Sequence, residues 1–96
     1  MDERHPAPLP RPLPCRVATA PDTSHGGVLV SLSEAELEVV LNTALPPATL
    51  VCVELAVGRS FMAYVTRVAR EPDAAWLHSC EPLDPVPPEA IEGLSS

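Results

Sequence analysis

The sequence predicts a small all-β domain carrying one short C-terminal helix. Three observations lead there. Apolar and polar residues alternate over Val28–Leu32, Leu50–Val57 and Phe61–Val68, the period of strands with one buried face. Turn-forming residues interrupt these runs at His25-Gly26-Gly27, Gly58-Arg59-Ser60 and Glu71-Pro72-Asp73. The 96 residues include one Phe, one Tyr and one Trp, so they can bury a single core of mainly Val, Leu and Ala.

Residues 1–14 carry prolines at 6, 8, 10, 12 and 14. Proline fixes φ and removes a backbone donor, so this segment is extended and cannot be helical. It is assigned as a Pro-rich N-terminal arm, either disordered or lying along the domain surface, with residues 15–96 as the β domain. Cys15–Ala18 is the first expected strand. Asp22–Gly27 reads as a hairpin turn leading into Val28–Leu32. Leu50–Val57 sets Val51, Val53, Leu55 and Val57 on one face. It joins Phe61–Val68 through Gly58-Arg59-Ser60 as the clearest hairpin. Ala75–Glu81 is a further strand. Pro87–Gly93 has proline at its start and glycine at its end, the signature of a short helix.

Residues 33–44 read two ways. Ser33-Glu34-Ala35-Glu36 fits a helix capping box, with Leu37, Val40, Leu41 and Ala44 at helical spacing. The same stretch alternates as Leu37, Val39, Leu41 and Thr43, and the β-branched pair Val39-Val40 favours a strand. The pattern alone leans to helix.

Thirteen acids against six arginines, with no lysine, give a formal net charge of −7. Duplex nucleic acid binding rests on many cationic phosphate contacts, which this chain lacks. A small anionic ligand held by a few arginines remains compatible with that charge. No apolar run approaches the roughly 20 residues that span a bilayer, and the N-terminus has no apolar core of a signal peptide. The expectation is a cytoplasmic protein with no membrane association.

Cys15, Cys52 and Cys80 are odd in number and far apart, which suits free thiols. Paired zinc-ligand spacing is absent. The histidines, at 5, 25 and 78, have no nucleophile elbow or phosphate loop beside them. Glu34 and Glu36 are most simply a solvated turn. The expected protein is not an enzyme and carries no cofactor.

The order of these features resembles the PilZ family, small bacterial β-barrel domains that act as receptors for cyclic di-GMP. The likeness runs from Val28-Leu29-Val30-Ser31-Leu32-Ser33 through Leu45-Pro46-Pro47-Ala48-Thr49 and the hairpin to Trp76-Leu77-His78-Ser79-Cys80-Glu81. It covers about residues 11–94. It implies a small antiparallel barrel with a C-terminal helix, and a strand in the contested segment.

Family members hold the nucleotide with an Arg-x-x-x-Arg pair on the arm and an Asp/Asn-x-Ser-x-x-Gly turn. Arginine forks onto guanine, stacks on bases and neutralises phosphate. Here the pair is incomplete: with Arg11 as the second arginine, Ala7 stands where the first belongs. The turn aligns as Ser31-Leu32-Ser33-Glu34-Ala35-Glu36, keeping Ser33 but replacing the acid by Ser31 and the glycine by Glu36. Glu36 brings a like charge toward an anionic ligand, and its Cβ disfavours the positive φ open to glycine. Asp22–Gly27 also fits the turn motif literally. Arg11 lies twenty positions before Ser31, whereas Arg16 lies only six before Asp22, which favours the register at Ser31.

The resulting reading is a non-enzymatic PilZ-like signalling or interaction module with a degenerate site at Arg11, Arg16, Ser31, Ser33 and Glu36. Its partner is a protein, and cyclic di-GMP binding is weak or absent. A runner-up is a working cyclic di-GMP receptor using Arg11, Arg16 and Ser33. A third is an unrelated β-domain with a metal or catalytic role at His78 and Cys80.

Overall fold

Each strand of this protein turns one row of side chains inward, and six such rows fill a single interior. The computed structural model describes residues 7–20 and 22–95. Arg4 and His5 of the arm lie outside the described residues. The elements are β1 (Ala7–Ala20), β2 (Thr23–Leu32), β3 (Leu37–Leu41), β4 (Leu50–Leu55), β5 (Ser60–Arg70), β6 (Trp76–Pro82) and α1 (Pro88–Ser95). They form a closed antiparallel barrel in the order β1-β2-β3-β6-β5-β4, the expected fold class. β1 pairs along β2 and closes the ring through Cys15–Ala18 against Leu55–Cys52 of β4. Closure leaves no open sheet edge.

Val17, Leu29, Leu37, Val39, Val51, Val53 and Val65 fill the interior. The alternating strand pattern supplies them: β3 buries Leu37, Val39 and Leu41, and β4 buries Val51, Val53 and Leu55. Val86 and Ala90 extend this core from the C-terminal segment, where α1 lies against β1.

Three local expectations change, and the two-way reading of residues 33–44 resolves to the strand that the family resemblance implies. The contested segment is strand over Leu37–Leu41, and Ser33–Glu36 is the hairpin turn before it. Burial of three alternating side chains outweighs a capping pattern that has no helix to cap. Strand β1 runs back to Ala7, so the boundary drawn at Cys15 falls inside it. Its register shifts between Pro8 and Leu13, and Pro10 and Pro12, which cannot donate to a ladder, lie within that break. Val57 continues no face; it is exposed in the turn after β4, where Gly58 has φ +91°.

The third change concerns Asp22–Gly27. The chain reverses between Ala20 and Thr23, and Gly26-Gly27 lies within β2, opposite Arg16 and Cys15. Gly27 is needed for space. A Cβ there would run into the Leu41 side chain and the Val40 carbonyl oxygen on β3. Gly26 has open space at the same point. Gly27→Ala should therefore destabilise the domain by about 1–3 kcal/mol, because backbone cannot yield as a flexible side chain can. Gly26→Ala should leave stability nearly unchanged. Urea unfolding of the two variants measures the difference, and equal midpoints would contradict the close β2–β3 approach.

Candidate functional site

The turn between β2 and β3 is built from its own hydrogen bonds. The Ser33 N–H donates to the Glu36 carbonyl oxygen at 2.8 Å. The Glu36 N–H donates to Ser33 Oγ at 3.1 Å, and that hydroxyl donates back to the Glu36 carbonyl at 3.1 Å. Ser33 is thus committed within the turn. Among the described residues other than glycine, positive φ occurs only at Ala48 and Ala74. Glu36 therefore closes the turn without a left-handed backbone, and the expected steric conflict at its Cβ does not arise. Its charge remains.

Ser31 is buried at 6% exposure, just past an irregularity in β2 that shifts the register with β3 between Leu29 and Ser31. Opposite it on β1 is Pro8, and opposite Leu32 is Ala7. The arm thus passes beside the turn at positions 7 and 8, neither of which is arginine. Arg11 sits in the broken register of β1, beside Leu94 of α1 in a cleft of about 220 Å³. Arg16 faces Glu54 across the β1–β4 pair and lines a different cleft of about 410 Å³ with Gly26. Ser33 lines a third, of about 580 Å³, with Glu34, Glu81, Pro82, Leu83 and Pro85.

Arg11, Arg16 and Ser33 therefore line three different clefts, and no one of these clefts is lined by two of them. The other described arginines lie elsewhere. Arg59 is in the β4–β5 turn, Arg67 donates to Ser79 Oγ at 3.5 Å, and Arg70 stacks over Trp76 with its guanidinium 5.5 Å from the ring centre. The groove at Ser33 is instead lined by carboxylates. Glu34 is exposed in the turn, as its sequence pattern implies. The close pair Glu34 and Glu36 was the available signal, but nothing local placed Glu81 beside it.

His78 and Cys80 point to packing. His78 is fully buried, with Nδ1 3.1 Å from the Trp76 carbonyl and Nε2 accepting the Leu45 N–H at 2.9 Å. That network assigns the proton to Nδ1 and leaves the ring neutral. Burial pulls its pKa below the usual histidine value. Burial pushes the Cys80 thiol up to about 12 and the Cys15 thiol up to about 11, opposite to what a nucleophile or metal ligand requires. No group of three or more potential metal-ligating side chains occurs among the described residues. No helix there is long and apolar enough to cross a membrane.

The closed barrel with its C-terminal helix is the PilZ fold. The chain is similar to the PilZ domain of YcgR from Escherichia coli, solved with c-di-GMP, with a TM-score of 0.66 and 20% identity over 97% of this chain and 86% of that one. It is also similar to the Bacillus subtilis inhibitor of motility MotI/DgrA, with a TM-score of 0.69 and 13% identity over 99% of this chain. The chain spans about half, 49%, of that second protein's length. No family model and no curated protein matches the sequence.

The environment of His78 carries a pH dependence with a definite sign. The unfolded chain takes up a proton near pH 6.5, while folded His78, with its lowered pKa, does not. More protons on the unfolded state means stability falls as pH drops from 7 toward 5. His78→Asn should be less stable at pH 7 but lose little further stability on acidification. Urea midpoints at pH 7, 6 and 5 test this; parallel slopes for wild type and variant would contradict a neutral buried ring.

Proposed function

We propose that this chain is a non-enzymatic signalling or interaction module on the PilZ fold, whose nucleotide site is degenerate. The observation that supports this most is that Arg11, Arg16 and Ser33 each line a different cleft. A doubly anionic ligand needs cationic groups converging on one place. Here the turn that should meet it presents Glu34 and Glu36, and its serine hydroxyl is already bonded. The domain acts in the cytoplasm of a bacterial cell through a protein partner, without a cofactor.

The runner-up reading draws on the Escherichia coli neighbour, which was solved with c-di-GMP. Isothermal titration calorimetry separates the two. At physiological salt the domain should bind cyclic di-GMP no tighter than about 10 μM, about −7 kcal/mol. Each missing charge-assisted contact weakens binding by about 1.5–3 kcal/mol. Position 7 lies beside the turn, so Ala7→Arg combined with Glu36→Gly should strengthen binding measurably. Submicromolar binding by the wild type would establish the receptor reading instead.

A further inference from the structure

One stretch of the outer barrel wall is apolar without need of the fold. Among the described residues, four large hydrophobic side chains are strongly exposed, and three of them share this wall: Leu50 at 50%, Met62 at 45% and Leu83 at 51%. Their neighbours Val51 and Ala63 already supply the buried face. Strand register places them together. Ala18 pairs with Cys52, Cys52 pairs with Met62, and the Leu83 N–H donates to the Met62 carbonyl at 2.9 Å. In the next row Leu50 pairs with Tyr64, whose hydroxyl hydrogen-bonds to the Glu81 carboxylate. A cleft of about 260 Å³ lies over Ala18, Leu50, Cys52 and Met62. At Leu83 the wall meets the groove of about 580 Å³ lined by Glu34 and Glu81. Scattered exposed apolar residues are ordinary, but a contiguous row ending in charge marks an interaction surface.

The charges choose the occupant. The groove offers carboxylates, and Glu54 flanks the wall with Arg16 already opposite it. A second copy would bring the same carboxylates and the same net charge of −7, and an anionic lipid surface would meet like charge. We propose that this wall docks a cationic amphipathic segment of a partner protein. Its apolar residues lie over Leu50, Cys52, Met62 and Leu83, and a Lys or Arg reaches Glu34 and Glu81. This deepens the interaction-module reading and rests on it.

Cys52 is a built-in reporter. It is half-buried on this wall, while Cys15 and Cys80 are buried with thiols pushed up to about 11 and about 12. A thiol reagent should modify Cys52 first in the native protein. The probe is an amphipathic helical peptide of leucine and lysine. It should slow Cys52 modification, and added salt should reverse that protection. Met62→Asp should weaken peptide binding by about tenfold or more, as loss of a central contact does. Glu34→Gln with Glu81→Gln should weaken it too, whereas Val57→Asp, in the β4–β5 turn, should bind like wild type.

Several results would overturn the proposal: no binding to the wild type, equal binding by Met62→Asp, or equal protection by the peptide with glutamate in place of lysine. Protection that follows protein concentration alone would assign the wall to self-association. Protection by phosphatidylglycerol vesicles alone would assign it to a membrane. A calorimetric titration with cyclic di-GMP on the same samples keeps the two claims apart. Absent nucleotide binding with no peptide protection overturns the docking surface alone; submicromolar nucleotide binding overturns the underlying reading.

Discussion

The fold depends on β1 pairing on both sides. It runs along β2 for most of its length, and it closes the ring against β4 through only four residue pairs, Cys15–Ala18 with Leu55–Cys52. Val17 on β1 and Val53 on β4 pair directly and are both buried, so closure and core formation are one event. Without it, β1 and β4 would each present an edge of unpaired backbone groups. The prolines fit this arrangement. Pro10 and Pro12 lie where β1 slips out of register between Pro8 and Leu13, and the closing residues Cys15–Ala18 are free of proline.

Closure also divides the chemistry of the chain. The groups that sequence alone left available for reaction, His78 and Cys80, are held inside together with Cys15, where burial keeps the imidazole neutral and the thiols protonated. The His78 ring links Leu45, in the connection between β3 and β4, to the backbone of β6. What remains outside is carboxylate around Ser33 and Leu83, arginine dispersed over several faces, and an apolar wall on β1, β4 and β5. On the proposed reading, a surface so distributed serves a protein partner and not a compact polyanion.

Much of the fold was legible in the sequence because strand alternation is a local signal that burial then ratifies. Leu50–Leu55 and Ser60–Arg70 fall close to where period two placed them. Segment 33–44 misled because Leu37, Val40 and Leu41 satisfy a helical spacing as well as a strand one. Only pairing with β2 and β6 decides between them, and that information is not local. Gly26-Gly27 misled for a similar reason. Glycine usually signals a turn, but Gly27 is small because β3 passes close to it. At the candidate site, the sequence located the turn at Ser31–Glu36 and the arm beside it. It could not show that Arg11 and Arg16 line different clefts, because Arg11 lies inside a register break of β1.

Backbone hydrogen exchange, followed residue by residue, tests the closed barrel most directly. The β1–β4 seam is hydrogen-bonded through Arg16 with Glu54 and Ala18 with Cys52, because Leu55 donates the other way, to Arg59. The amides of Arg16 and Cys52 should exchange only through global unfolding, as slowly as those of Val39 and Val65 in the other strands. Fast exchange confined to Arg16, Ala18, Cys52 and Glu54, with the other amides of β1 and β4 protected, would show the ring open at the β1–β4 seam and contradict the account.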